Sequence, residues 1–457
     1  MTIGLLPDEV LIEIFNFYLG QVRSQCHTNK AREDAWHVLV HVCQRWRYVV
    51  FESPKSLNLR LLYTPNRPVQ KMLDVWPALP IAISWYISNE LLFVDNIIEA
   101  LKQNNRVCKI DIGGISSLLL KALSATKEPF PALTVLKLLS TALVPSPALS
   151  DSFLIGYAPC LRHLRLVNIP FPALPKLLSS TRGLVRLRLD NIPSSGYIPP
   201  DEMVAALSTL TKLEELHIHF GQPQFSADQA GQHPPQLALV VLPALSSFYF
   251  MGHSKYLEGI VAQIDTPLLN EFMITFFVQL VLDTPRLRHF LSRWEAFNAF
   301  HQAVAVFYDY RVLVKLHPQE GVAQHKVRTL DITCSDSEQQ LSFLGQVLSS
   351  SLPPLSVVEC LDIRQSRRHW KDMENSRWLE LLGPFTSVTS LVLYDELAER
   401  VAPALKEGAV LPALQNISIV GPQPSRSIQE AISQFITARE LSGCPVTVHH
   451  QEKEGGL

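Results

Sequence analysis

Fifteen histidines and seven cysteines are the side chains of this 457-residue sequence best suited to catalysis or metal binding. His37 and His41 lie four apart, which sets two imidazoles on one helix face at metal-ligand spacing. The metalloprotease arrangement would also need a glutamate between them, and none is present. The pair therefore reads as solvent-facing helix histidines. Cys26, Cys43, Cys108, Cys160, Cys334, Cys360 and Cys444 are odd in number and scattered, without a CxxC pair. Neither a disulfide framework nor a zinc module is signalled, and a reducing compartment fits. Cys43, in VCQRW, has no positioned base beside it and is expected as a buried residue rather than a nucleophile. No GxSxG, Walker-type glycine loop or GxGxxG follows any stretch that reads as a strand. The expectation is a chain with no catalytic residues, no metal and no cofactor.

What remains is binding, and charge and hydropathy bound its kind. A net charge of −2 argues against general nucleic-acid binding. Hydrophobic residues at 47% against 18% charged supply enough apolar material for a folded chain. At this length several modules or one elongated array are expected. The 32 prolines against 19 glycines point to many short elements, each started or stopped by a rigid φ. Asp8, Glu9 and Glu13 interrupt what would be the apolar region of a signal peptide. The most apolar later stretch, 272–282, is too short to span a bilayer. A soluble protein of the cytoplasm, the nucleus or both is expected, with no membrane partner.

The N-terminal segment LLPDEVLIEIFNFYL (5–19) begins as a helix should. Pro7 stands at a first helical position, and Asp8 and Glu9 favour the positive end of the helix dipole. Val10, Leu11, Ile14, Phe15 and Tyr18 recur at helical spacing. A polar stretch, 20–34, leads to a second expected helix, WHVLVHVCQRWRYVVF (36–51), closed by Ser53-Pro54. Two such short helices cannot bury all this apolar surface against each other, so they pack on the rest of the chain or expose a patch for a partner. The pattern LPDEVLIEIF followed by VCQRWR resembles the F-box of Skp–cullin–F-box ubiquitin-ligase receptors. The likeness covers residues 5–54, with a longer insertion between the first two helices than most members carry. The stretch 53–81 is similar to the linker of a large group of mushroom-type fungal F-box proteins. The resemblance implies that Leu6, Pro7, Ile14, Phe15, Val42, Cys43 and Trp46 make or support contact with a Skp-type adaptor, and through it a cullin. Pro7 and Phe15 are expected to face outward, with Trp46 bracing the helices.

Beyond the linker the pattern L-x-x-L-x-L, allowing Val, Ile or Phe, recurs eleven times, starting at Val107, Leu133, Leu161, Leu184, Leu213, Leu245, Leu269, Val327, Val358, Val388 and Leu414. A degenerate copy starts at Leu287. Most neighbouring starts are 23 to 32 residues apart, the range of leucine-rich repeats, each one short strand plus a helix or turn. The expected fold class is thus a short all-α F-box followed by an α/β leucine-rich-repeat solenoid with parallel strands on its concave face. The expected divisions are a helical module at 1–54, a linker and cap at 55–106, a repeat arc at 107–420, and a terminal helix with a polar tail at 421–457. Residues 294–326 break the period and read as a partly helical excursion. The Gln/Pro stretch at 221–236 and the basic run at 364–371 read as loops.

Because strand side chains alternate, residues flanking the second apolar position of each copy face the concave side. Early strands there carry Lys137, His163, Arg165, Arg186, Arg188, His217 and Tyr249, while later ones carry Asp331 and Asp362. Like charges on neighbouring strands repel modestly. An acidic or phosphorylated protein target across this face would relieve that repulsion. The combined expectation is a non-catalytic substrate receptor of a ubiquitin ligase. The alternative is a scaffold of the same kind with a regulatory role outside ubiquitination.

Overall fold

Pro7 opens α1 (Asp8–Gln25), its carbonyl accepting the N–H of Leu11 at 3.2 Å. Leu11, Phe15 and Leu19 recur one turn apart and are fully buried, which fixes the inward face. The helix runs past the expected Leu19 to Gln25 because no proline or strong breaker follows Gly20. The second expected helix is two: α2 (His37–Val40) and α3 (Gln44–Glu52). Between them Cys43 is extended (φ −158°, ψ 170°), and its Sγ accepts the N–H of Trp46 at 3.4 Å. That thiol satisfies one of the orphan donors at the start of α3, so the helix restarts there. The computed structural model describes residues 6–25, 34–63, 73, 79–86, 94–115, 117–125, 128–141, 148–151, 153–154, 158–221, 239–277, 283–294, 300–308, 311–317, 329–335, 345, 348–349, 352, 355–365, 375–407, 410–421 and 426–451. Positions 222–236, 366–371 and 452–457 of the expected loops and tail lie outside these, as does Cys26.

The chain forms two compact units, Met1–Ile198 with Ala205–Leu213, and Pro199–Val204 with Glu214–Leu457. In the first unit the helices lead directly into a sheet. The Trp36 indole donates to the Arg60 carbonyl (3.0 Å), and Arg23 donates to the carbonyls of Leu57 (3.2 Å) and Asn58 (3.1 Å). The strands follow in chain order and are all parallel: β1 (Leu61–Tyr63), β2 (Ile81–Tyr86), β3 (Val107–Gly113), β4 (Val135–Leu139), β5 (His163–Val167) and β6 (Arg186–Ile192). Parallel neighbours need crossovers, and α4 (Val94–Leu101), α5 (Ser117–Ala125) and α6 (Leu174–Ser180) lie within them. Leu136, Leu138, Leu164, Leu166, Leu187 and Leu189 form the buried side of β4 to β6. A further helix, α7 (Pro200–Leu207), follows β6.

The second unit begins in the same way. β7 (Glu215–Phe220), β9 (Ser247–Gly252), β11 (Glu271–Phe277) and β14 (Thr329–Ser335) are parallel neighbours, with a minor parallel pair formed by β8 (Val240–Val241) and β10 (Ile264–Asp265). Then the pattern breaks. β12 (Gln302–Tyr308) and β13 (Arg311–His317) form an antiparallel hairpin, and β13 also pairs antiparallel with β14. From β12 the sheet resumes in parallel through β15 (Cys360–Gln365), β16 (Ser390–Tyr394), β17 (Asn416–Val420) and β18 (Thr447–Gln451). The helices are α8 (Ser254–Val261), α9 (Pro285–Arg293), α10 (Asn375–Leu382), α11 (Asp395–Glu407) and α12 (Arg426–Leu441). Glu258 on α8 is buried, and its carboxylate accepts the N–H groups of Arg286 (2.9 Å) and Leu287 (2.6 Å) at the start of α9. Burial pushes this carboxyl up from its ordinary range, with the two N–H groups and the Arg286 charge pulling the other way.

These observations correct the expected fold class. Ten of the eleven repeat copies start two residues before a strand and the copy at Val107 starts with one, but a separate all-α module followed by a parallel solenoid does not describe the molecule. It is α/β from the outset, because the N-terminal helices share one compact unit with β1 to β6. The second unit holds a mixed sheet, because 294–326, expected as a partly helical excursion, contains the hairpin. Ala303, Ala305 and Phe307 alternate as buried residues in β12, and Val312, Val314 and Leu316 in β13, which is strand periodicity. The degenerate copy at Leu287 lies in α9, where Leu287, Phe290 and Leu291 face inward at helical spacing. His449 and His450, expected in the tail, belong to β18.

Candidate functional site

The N-terminal helices place the seven expected adaptor residues as follows. Leu6 is half-buried, and its carbonyl accepts from the Arg45 guanidinium. Arg45 also pairs with Asp8 at 2.7 Å, so one side chain of α3 ties down the opening of α1. Pro7 is exposed, as are Ile14 and Val42. Trp46 is half-buried, with its ring 4.7 Å from that of Phe15 in an edge-on arrangement. Two placements differ from expectation. Phe15 is fully buried rather than facing outward, because it lies one turn from Leu11 and Leu19 on the packed face. Cys43 is exposed rather than buried, because it occupies the cap of α3.

The helices present an uncovered set of which the motif named only Ile14 and Val42. Val10 (38% exposed), Ile14 (45%) and Phe17 (74%) recur along α1 at i, i+4 and i+7, offset from the packed face. Val38 (58%) lies on α2, Val42 (55%) just after it, and Tyr48 (62%) on α3. Six of the eleven exposed large apolar side chains among the described residues thus fall within residues 10–48. Such a concentration of uncovered apolar side chains marks a docking surface more often than scattered exposure does. Reading the α1 stripe as one face concealed this, since its two interleaved sets face opposite ways. His37, raised above as a ligand candidate, packs edge-on against Trp36 at 4.1 Å between ring centroids.

The expected target face divides between the two units. In the first, β4 and β5 alternate half-exposed and buried residues, which puts Lys137, His163 and Arg165 on the same face. Register aligns Asp111, Lys137, Arg165 and Arg188 as one row across β3 to β6, with His163 beside Arg186 in the row before it. Counter-charges are already present: Arg165 Nε donates to Asp190 at 2.8 Å, and Lys109 lies 3.7 Å from the buried Asp111. In the second unit the His217 ring stacks on Tyr249 (5.5 Å, 19°), and the Tyr249 hydroxyl donates to Glu271. Asp362 is buried and chelated by Arg364 through Nε (2.9 Å) and Nη2 (2.6 Å), and that guanidinium lies 5.8 Å over the Tyr394 ring. This pairing removes Asp362 from the acidic side of the face and raises the arginine's own affinity for its proton. The side chain of Asp331 is outside the described residues.

Comparison of the chain with models of known protein families gave no match, and comparison with curated proteins gave none. Among the described residues no helix is long and apolar enough to cross a membrane.

Proposed function

We propose that this chain is the substrate-recognition subunit of a Skp–cullin–F-box ubiquitin ligase, acting in the cytoplasm or nucleus. The N-terminal helices take the Skp-type adaptor, and a protein target is held elsewhere on the chain. The observation that carries the reading is the uncovered apolar set at Val10, Ile14, Phe17, Val38, Val42 and Tyr48, within the segment whose Leu-Pro opening and Val-Cys-x-x-Trp-Arg pattern resemble the F-box. In this reading the chain makes no bond itself. It raises the effective concentration of a target beside a ubiquitin-charged partner, and proximity is its contribution to catalysis.

The anchor of the docking face is Phe17, the most exposed aromatic of the set. Burying such a side chain on association is worth about 1.5–3 kcal/mol, or roughly 10- to 150-fold in affinity. Phe17→Asp and Val42→Asp, made separately in the full chain, should each abolish co-purification of adaptor and cullin while leaving thermal unfolding unchanged. Retention of both partners by both variants would remove the reading.

A further inference from the structure

Resting on the receptor reading above, we infer that the half-exposed face of β4, β5 and β6 takes an extended polypeptide segment carrying anionic side chains at alternate positions. The basis is a surface in which register, rather than chance clustering, brings the charges together. Lys137, Arg165 and Arg188 are direct cross-strand partners, and His163 and Arg186 are partners in the row two residues earlier. Neighbouring strands are about 4.8 Å apart, so three cations stand side by side on adjacent strands. Like charges placed directly opposite oppose folding. Nothing in the packing asks for them, because the buried side of the same strands is supplied by leucines.

Two carboxylates lie on this face, and each has a defined use. Asp111 is buried at the β3 end of the row and pairs with Lys109. Asp190 holds Arg165 by its Nε at 2.8 Å, which fixes the guanidinium plane on this face. Cations still outnumber carboxylates on the described face, with Lys109, Lys137, Arg165, Arg186 and Arg188 against Asp111 and Asp190. The occupant's chemistry follows from charge complementarity, and its form follows from the repeat. Residues two apart on a strand are about 6.7 Å apart, the same repeat as alternate side chains of an extended segment lying along the strands. Carboxylates or phosphorylated hydroxyls at every second position would meet the two rows in turn. A nucleic acid is disfavoured by the absence of exposed aromatic side chains for base stacking on β4, β5 and β6, and by the net charge of the chain.

The test uses the full-length protein and labelled synthetic probes followed by fluorescence anisotropy at low and moderate salt. The probes are a peptide alternating glutamate with threonine, a peptide alternating phosphoserine with threonine, a helix-forming peptide of equal charge, and a single-stranded RNA of equal charge. The two alternating peptides should bind, with affinity falling as salt rises, and preference between them identifies the anion. Lys137→Glu with Arg188→Glu should weaken binding roughly tenfold or more. Lys137→Gln with Arg188→Gln should give a smaller loss with an unchanged melting curve, which separates a binding defect from a folding one. Arg288→Glu with Arg293→Glu, on the exposed side of α9, should leave binding unchanged. Equal or tighter binding of the RNA or the helical peptide, indifference to charge reversal, or no peptide binding would each overturn the inference. Adaptor capture is measured separately on the same preparations. Capture without peptide binding defeats this inference alone, whereas peptide binding without capture defeats the receptor reading alone.

Discussion

Phe15 and Phe17 stand two residues apart on α1 with opposite surroundings, so truncating each in turn separates packing from docking. The Phe15 ring is fully buried, edge-on to Trp46, between Leu11 and Leu19. Replacing a buried phenylalanine by alanine costs about 3–5 kcal/mol, part of it for the cavity left behind. An edge-to-face aromatic pair accounts for about 0.5–1.5 kcal/mol of such a loss. Phe17 is 74% exposed, so its truncation should change stability by less than about 0.5 kcal/mol. With two compact units a single global unfolding energy would mix unrelated transitions, so hydrogen exchange read on the peptides of α1 and α3 is the suitable assay. Phe15→Ala should speed exchange in both helices by about two to almost four orders of magnitude, taking 1.4 kcal/mol per factor of ten. That ceiling holds until local opening becomes complete. Phe17→Ala should leave the same peptides unchanged. Equal effects from the two substitutions, or protection undiminished by Phe15→Ala, would refute the assignment of inward and outward faces.

Two further outcomes follow from the second unit. A Cβ at Gly252 would lie 2.7 Å from Phe220 Cδ2 and 3.0 Å from Phe250 Cζ, so Gly252→Ala should destabilise this unit by about 1–3 kcal/mol through displaced rings; an unchanged melting temperature counts against that packing. The Glu258 carboxyl is raised by burial, so the stability it contributes is fully present below its unfolded value and declines as pH rises through its folded value. The advantage of the native protein over Glu258→Gln should therefore shrink as pH rises above about 4.5, and an advantage that grows as pH rises would show that the α9 N–H groups outweigh burial.

Much of the strand layout was legible because a strand's core face repeats every second residue and each copy carries its own pair of apolar anchors, as in LRHLRL around Leu164 and Leu166. The hairpin was not legible. In QAVAVFY nearly every residue is apolar or small, so its spacing did not separate strand from helix; RVLVKLH does alternate at 312, 314 and 316, but the break in repeat length favoured the wrong choice. The division of α1 into inner and outer stripes was hidden for a related reason. Val10, Leu11, Ile14, Phe15 and Phe17 are all apolar, and only the packing of Phe15 on Trp46 decides which set is covered. The cap at Cys43 was missed because cysteine is an uncommon N-cap and the apolar pattern runs across it. On the strand face the cations were readable from alternation, but their counter-charge was not. Asp190 reaches Arg165 diagonally from the next strand, a contact set by register rather than by the repeat.

If the helices between residues 8 and 52 receive a Skp-type adaptor through their outer apolar faces, adaptor binding must cover those faces. Titrating the full-length chain with purified adaptor while following hydrogen exchange tests it most directly. New protection should be confined to α1, α2 and α3, strongest in peptides covering Ile14, Phe17 and Val42, and lost with Phe17→Asp. Absence of protection at saturating adaptor, or protection located only on the strands, would contradict it.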